Sequence, residues 1–288
     1  MSAHGTAAQA DEIARAHDEN FPVAFLLARR DVRADMRAIY AYCRVTDDIG
    51  DAGEATPTER LAALDAWETG LAAAVDGRGE GPVLVAVGDV IRRRRLPMEP
   101  FTRLVEANRM DQRTARWESH EDLLRYCAYS ATPVGRMVLG VLGIDDPVRV
   151  ALSDATCEGL QLANLWQDIR RDLDERDRVY LPREDMALFG VSVDDLRAPS
   201  ATPALRDLIR MEVGRARARL VEGAPLRSMV PWRARLDIAM FTAGGTWVCD
   251  SIARHGYDTI ATRPAPGALG RAGMAAGVIG RLLRGGGA

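Results

Sequence analysis

The sequence predicts an all-α protein. Three observations carry that expectation. Apolar residues recur at helical spacing along most of the chain. Prolines and glycines cluster at intervals that cut it into segments of helical length. No run of alternating Val, Ile and Thr lies between turn signals. The joints fall at Pro57, Gly77 to Pro82, Pro97 to Pro100, Pro147, Pro182, Pro199 to Pro203, Pro225 to Pro231, and Pro264 to Gly267. They place helices in order. Segments 21–30 and 32–53 precede the joint at Pro57, and 58–75 follows it. Segment 83–95 starts after Pro82, 100–113 at Pro100, and 120–142 runs towards Pro147. Segment 147–175 opens at Pro147 and stops short of Pro182. Segments 203–222 and 232–256 open at or just after the prolines that precede them.

The whole chain, 1–288, reads as a single domain, with 264–288 as a tail rich in Gly and Ala. Arg271, Arg281 and Arg284 stand among apolar residues in that tail. It is read as a frayed terminus, with a surface helix touching membrane lipid as the alternative. Apolar residues make up 47% and charged residues 27% of the 288, which is globular composition. A net charge of -3 speaks against nucleic acid as a partner. All 38 basic residues are arginine, a rigid and permanently charged fork suited to phosphate. Cys43, Cys127, Cys157 and Cys249 are widely spaced, so neither a zinc site nor a disulfide framework is expected. The first twenty residues lack the basic and apolar regions of a signal peptide, and no apolar run is long enough to span a bilayer. A cytoplasmic protein is expected, with peripheral contact to the inner membrane face as the consequence of the alternative reading of the tail.

Two acidic stripes point to chemistry. Tyr40, Arg44, Asp47, Asp48 and Asp51 fall on one face of a helix whose other residues, Ile39, Ala41, Tyr42, Cys43, Val45 and Ile49, are mostly apolar. Clustered carboxylates repel one another unless a cation compensates, so a solvated acidic face is the weaker reading. Gln161, Asn164, Asp168 and Asp172 form a second stripe at spacings of three, four and four. Leu160, Leu162, Trp166, Ile169 and Leu173 turn elsewhere. Magnesium takes a few carboxylates, several waters and phosphate oxygens. Two aspartate-bearing helices could therefore hold magnesium around a diphosphate and neutralise it as its C–O bond breaks. Arg44 and Arg171, beside the aspartates, could take the outer phosphate oxygens.

At these residues the chain resembles the squalene and phytoene synthase family. The matching pieces are HDENFPVAF from His17, IYAYCRVTDDIGD around Tyr40 to Asp51, YCAYSATPVGR from Tyr126 to Arg136, and GLQLANLWQDIRRDLDERDRVYLP from Gly159 to Pro182. HGYDTIATRP near the C-terminus is fainter. The resemblance implies an α-helical isoprenoid synthase bundle around a central cavity. It implies Asp47, Asp51, Asp168 and Asp172 as magnesium ligands assisted by Asn164, with Asp48 beside them. Arg44, Arg178 and Tyr180 would hold diphosphate, and His17, Phe21, Tyr40, Tyr129 and Gln161 would line the pocket.

Two departures separate the chain from the condensing members. Those tend to read N-x-x-R-D in the second acidic motif, and here Gln167 takes the arginine's place. They tend to read A-G-x-V-G in the central helix, and here the run is Ala131-Thr132-Pro133-Val134-Gly135. NFPVA, SATPVGR and NLWQD are similar to the hydroxysqualene synthase branch of the hopanoid and squalene pathway. That branch ionises presqualene diphosphate, rearranges the cation and captures it with water. Tyr129 is the candidate for holding that water. The implied partners are an enzyme that makes presqualene diphosphate and an oxidoreductase that turns the product into squalene. The rival readings are a head-to-head condensing synthase and a non-catalytic subunit on a decayed synthase fold. The completeness of both acidic motifs argues against the second.

Overall fold

The computed structural model describes residues 27–265 and Val278. The expected helix over 21–30 falls largely outside them, and its described end, residues 27–29, is turn and not helix. The tail after residue 265, apart from Val278, also lies outside. In order the helices are α1 (Arg30–Asp51), α2 (Pro57–Val75), α3 (Pro82–Arg94), α4 (Glu99–Arg113), α5 (His120–Ser130), α6 (Thr132–Val141) and α7 (Pro147–Gln167). They continue with α8 (Ile169–Arg176), α9 (Arg183–Phe189), α10 (Val193–Arg197), α11 (Pro203–Gly223), α12 (Leu226–Met229) and α13 (Trp232–Arg254). No strand forms among the described residues, and Arg116 and Val179 make an isolated parallel bridge.

Two expected helices are broken. Segment 120–142 divides at Ala131, because a proline inside a helix has no N–H to give and its ring collides with the carbonyl four residues back. With α6 starting at Thr132, Pro133 falls in a first turn, where it is tolerated. Segment 147–175 bends at Asp168, whose ψ of 11° departs from helix. The N–H of Asp168 still reaches the Asn164 carbonyl at 3.0 Å, and that of Asp172 reaches the Asp168 carbonyl at 2.8 Å, so the polar stripe stays in phase. The short helices α9, α10 and α12 were not anticipated, since an apolar period needs more than two turns to register.

The contacts group into two compact units. Among the described residues, the first draws on 27–114 and 129–150, the second on 115–128 and 151–265. In the first, α2 starts at a capping box in which the Thr56 hydroxyl accepts from the Glu59 N–H and Glu59 accepts from the Thr56 N–H. Its core closes on Tyr42, stacked on Trp67 at 5.7 Å and set edge-on to Phe101 at 5.4 Å. The Tyr42 hydroxyl donates to the Phe101 carbonyl, so the ring is buried without an orphaned polar atom. Asp35 of α1, also buried, takes Arg93 at 2.9 Å and Arg94 at 2.7 Å from the end of α3.

In the second unit α7, α11 and α13 pack closely through glycines. A Cβ on Gly159 would stand 2.7 Å from Leu220, and one on Gly245 would stand 2.9 Å from Leu160. Trp166, Leu162, Leu205, Leu208 and Val248 are fully buried around them. Glu212 of α11 is also fully buried. Arg215 gives Asp185 two hydrogen bonds and Glu212 one, and Glu212 Oε2 is left facing His120 Nδ1 at 3.8 Å without a hydrogen bond. Burial pushes the Glu212 carboxyl up to about 8.

Candidate active site

The first acidic motif rides on α1. Ile39, Ala41 and Tyr42 anchor the helix in the core, while Tyr40, Arg44, Asp47, Asp48 and Asp51 are half-buried. Cys43, Val45 and Ile49 are half-buried too, so this helix is less enclosed than its composition predicts. Thr46 ties the motif inward, its hydroxyl donating to the Tyr42 carbonyl and accepting from Trp67 Nε1. Arg44 pairs with Asp48 at 3.3 Å, one turn on. Asn108 of α4 donates its side-chain amide to Asp47 at 3.2 Å, and Gln112 donates to the Gly50 carbonyl at 3.0 Å.

The second motif spans the bend between α7 and α8. Gln161 and Asn164 are half-buried above a fully buried apolar row that includes Leu162 and Trp166. Asp168 receives Arg263 through two guanidinium nitrogens and lies 3.4 Å from Arg171. Asp172 lies 3.5 Å from Arg176. Burial first, and the neighbouring Asp168 second, push the Asp172 carboxyl up to about 7, against the pull of Arg176, Arg171 and Arg178. Gln167 is buried and donates to the Pro264 carbonyl. Arg171 itself is exposed and bridges Asp168 and Glu175.

Beyond α8 the chain turns at Asp177, whose φ of 48° is left-handed, into the segment carrying Arg178 and Tyr180. That segment is knitted to residues 115–118. Val179 N–H bonds the Ala115 carbonyl at 3.0 Å, Arg183 N–H the Trp117 carbonyl at 2.9 Å, and Glu184 N–H the Glu118 carbonyl at 3.0 Å. Trp117 stacks on Tyr180 at 6.4 Å, and Tyr126 touches both rings. Arg178 and Tyr180 are buried. Tyr129, in the first unit, is half-buried with the Arg103 guanidinium 5.2 Å over its ring. His17 and Phe21 lie outside the described residues.

Among the described residues no three Asp, Glu, His or Cys side chains converge on one point. A hard cation that shares its coordination among one or two carboxylates, phosphate oxygens and water needs no such cage. The donors on both stripes are oxygen only, which fits magnesium and not a thiolate-seeking metal. The list of candidates drawn from the sequence omitted Arg263, Asn108, Trp117 and Tyr126. Arg263 had a signal, since it sits in the faintly matching HGYDTIATRP run. Tyr126 had one too, as the first residue of the YCAYSATPVGR run, while Asn108 and Trp117 carry no pattern of their own.

A model of the squalene/phytoene synthase family matches residues 14–270. The chain belongs to that family. It is an isoprenoid-processing enzyme, and its all-helical isoprenoid synthase fold is as expected. The hydroxysqualene synthase of Sinorhizobium fredii is 34% identical over 224 residues, 77% of this chain and 75% of the relative. The phytoene synthase of Thermus thermophilus is 34% identical over 252 residues, 87% of this chain and 84% of the relative. The crystal structure of squalene synthase HpnC from Alicyclobacillus acidocaldarius superposes with a TM-score of 0.82 at 44% identity, covering 88% of this chain and 95% of that one. A dehydrosqualene synthase structure gives a TM-score of 0.88 at 22% identity over 98% of both chains, a likeness of fold alone. No described helix is long and apolar enough to cross a membrane.

Proposed function

We propose that the protein is a hydroxysqualene synthase. It would break the C–O bond of presqualene diphosphate so that the bonding electrons leave with diphosphate. The cyclopropylcarbinyl cation would rearrange, and water would add to it and lose a proton. The carrying observation is Gln167. The residue that stands where condensing relatives tend to have a phosphate-binding arginine is buried and bonded to the Pro264 backbone, so it brings no charge to a second diphosphate. The relatives named hydroxysqualene synthase support the same reading.

Magnesium, held by Asp47, Asp51, Asp168 and Asp172 with Asp48 and Asn164 beside them, would supply Lewis-acid neutralisation of the leaving group. Arg44, Arg171 and Arg178 fix diphosphate oxygens, and Tyr180 shapes that end of the site. Tyr40, Gln161, His17 and Phe21 exclude bulk water from the hydrocarbon cation, and the Tyr129 hydroxyl holds the one water that reacts. The enzyme would work in the cytoplasm, with peripheral contact to the inner membrane face as the alternative. An enzyme that makes presqualene diphosphate would precede it, and an oxidoreductase that removes the hydroxyl would follow.

A second reading, a condensing synthase, is favoured by the phytoene synthase relative, equally identical over a longer span. Purified protein with magnesium and, separately, presqualene, farnesyl or geranylgeranyl diphosphate decides between them by mass spectrometry. Hydroxysqualene from presqualene diphosphate, and nothing from farnesyl diphosphate alone, is expected. Presqualene diphosphate or phytoene from a linear substrate would establish the second reading.

A further inference from the structure

We infer that Asn108 is a positioning residue that sets the metal affinity of the first acidic motif by aiming Asp47. The inference rests on the magnesium reading proposed above. Asn108 is a polar residue only 6% exposed on α4, and its amide does three things at once. Nδ2 donates to Asp47 Oδ1 at 3.2 Å and to its own helix at the Leu104 carbonyl, also at 3.2 Å. Oδ1 lies over Gly50, where a Cβ would come within 2.1 Å of it. One turn on, Gln112 bonds the Gly50 and Asn108 carbonyls at 3.0 and 3.1 Å. The amide presents its nitrogen to Asp47 because both neighbours at that end, the Asp47 carboxylate and the Leu104 carbonyl, are acceptors.

The chemistry of the donor matters. An arginine aimed at Asp47 would compete with a metal ion for its charge, whereas a neutral amide fixes the orientation of the carboxylate and leaves the charge in place. One oxygen is engaged by Asn108, and a fixed rotamer loses less entropy when a cation arrives. Gly50 is the steric partner of this arrangement: any side chain there would displace the amide.

The test follows thermal unfolding of wild type, Asn108→Ala and the near-isosteric Asn108→Leu while magnesium is titrated at fixed inorganic diphosphate. In wild type the midpoint should rise with magnesium. In both variants half of the rise should require at least about tenfold more magnesium, as for other residues that orient metal ligands. In turnover the KM for magnesium should rise by a larger factor than kcat falls. Asn108→Leu keeps a side chain of similar volume over Gly50 and removes the donor without adding charge, so its loss isolates the hydrogen bond from the fold. An unchanged half-saturating magnesium concentration in Asn108→Leu, with wild type responding, overturns the inference alone. A wild-type midpoint indifferent to magnesium and diphosphate overturns the metal reading and the inference with it.

Discussion

Along α1 the acidic residues stand on an unbroken helix, and Asp47 is held by a neutral amide. At the junction of α7 and α8 they flank a bend, and Asp168 and Asp172 are each met by arginine. Both motifs are stripes of aspartate at helical spacing, and the sequence makes them look alike. The structure separates them by what meets Asp47 and Asp168: an amide donor beside the Arg44–Asp48 pair in the first motif, and two arginines in the second. In the first motif orientation is fixed by Asn108. In the second the Asp168 charge is already answered by Arg263 and Arg171, and Asp172 retains a proton up to about pH 7. Two ways of holding a carboxylate imply two different consequences of losing it.

The largest effect belongs to the aspartates. Asp47→Ala and Asp168→Ala should each lower turnover at least about a hundredfold with helical content intact by circular dichroism. Their metal-free stabilities should diverge. Mutual repulsion alone predicts that deleting either carboxylate stabilises the protein, but deleting Asp168 removes the carboxylate that Arg263 pairs with and one of the two that Arg171 bridges, so Asp168→Ala should be the less stable of the pair. Full activity in EDTA would remove the metal sites from both motifs.

A pH effect comes next, and its larger share should come from Glu212, outside both motifs, with Asp172 adding to the same slope. The buried Glu212 holds its proton up to about pH 8 in the folded protein and releases it near 4.5 when unfolded. The folded state therefore binds the extra proton between those values, and stability falls as pH rises through that window and levels off above it. The total is on the order of a few kcal/mol, from a shift of several units at about 1.4 kcal/mol each. Glu212→Gln should remove the larger part of that slope in urea titrations run from pH 4.5 to 8.5. A slope that survives undiminished in the variant assigns it to another group, with Asp172 the first to examine.

The smallest effect sharpens the comparison most. Arg263→Ala should cost about 1 kcal/mol in metal-free protein, since both partners are partly exposed and water screens the pair. The cost should shrink when magnesium and diphosphate are present, because the cation then answers Asp168 instead. An equal cost under both conditions would mean that Arg263 is a fixed strut and that Asp168 never exchanges partners.

Much of this was legible in the sequence and some was not, for physical reasons. Helical period carried the long helices and both stripes, because twenty residues give it several turns to register. The breaks at Ala131 and Asp168 were missed: Pro133 announced the first, while the second has no breaker residue at all. Arg263 reaches Asp168 across 95 positions and Asn108 reaches Asp47 across 61, and nothing in a single sequence marks such pairs. Gln167 was legible as a departure, but its bond to the Pro264 backbone required coordinates.

The central claim is that water ends the reaction. Turnover of presqualene diphosphate with magnesium in oxygen-18 water, without nicotinamide, tests it directly by mass spectrometry of the product. The account predicts an alcohol carrying one oxygen-18 atom. An unlabelled alcohol, or a hydrocarbon formed only when reduced nicotinamide is added, would contradict it.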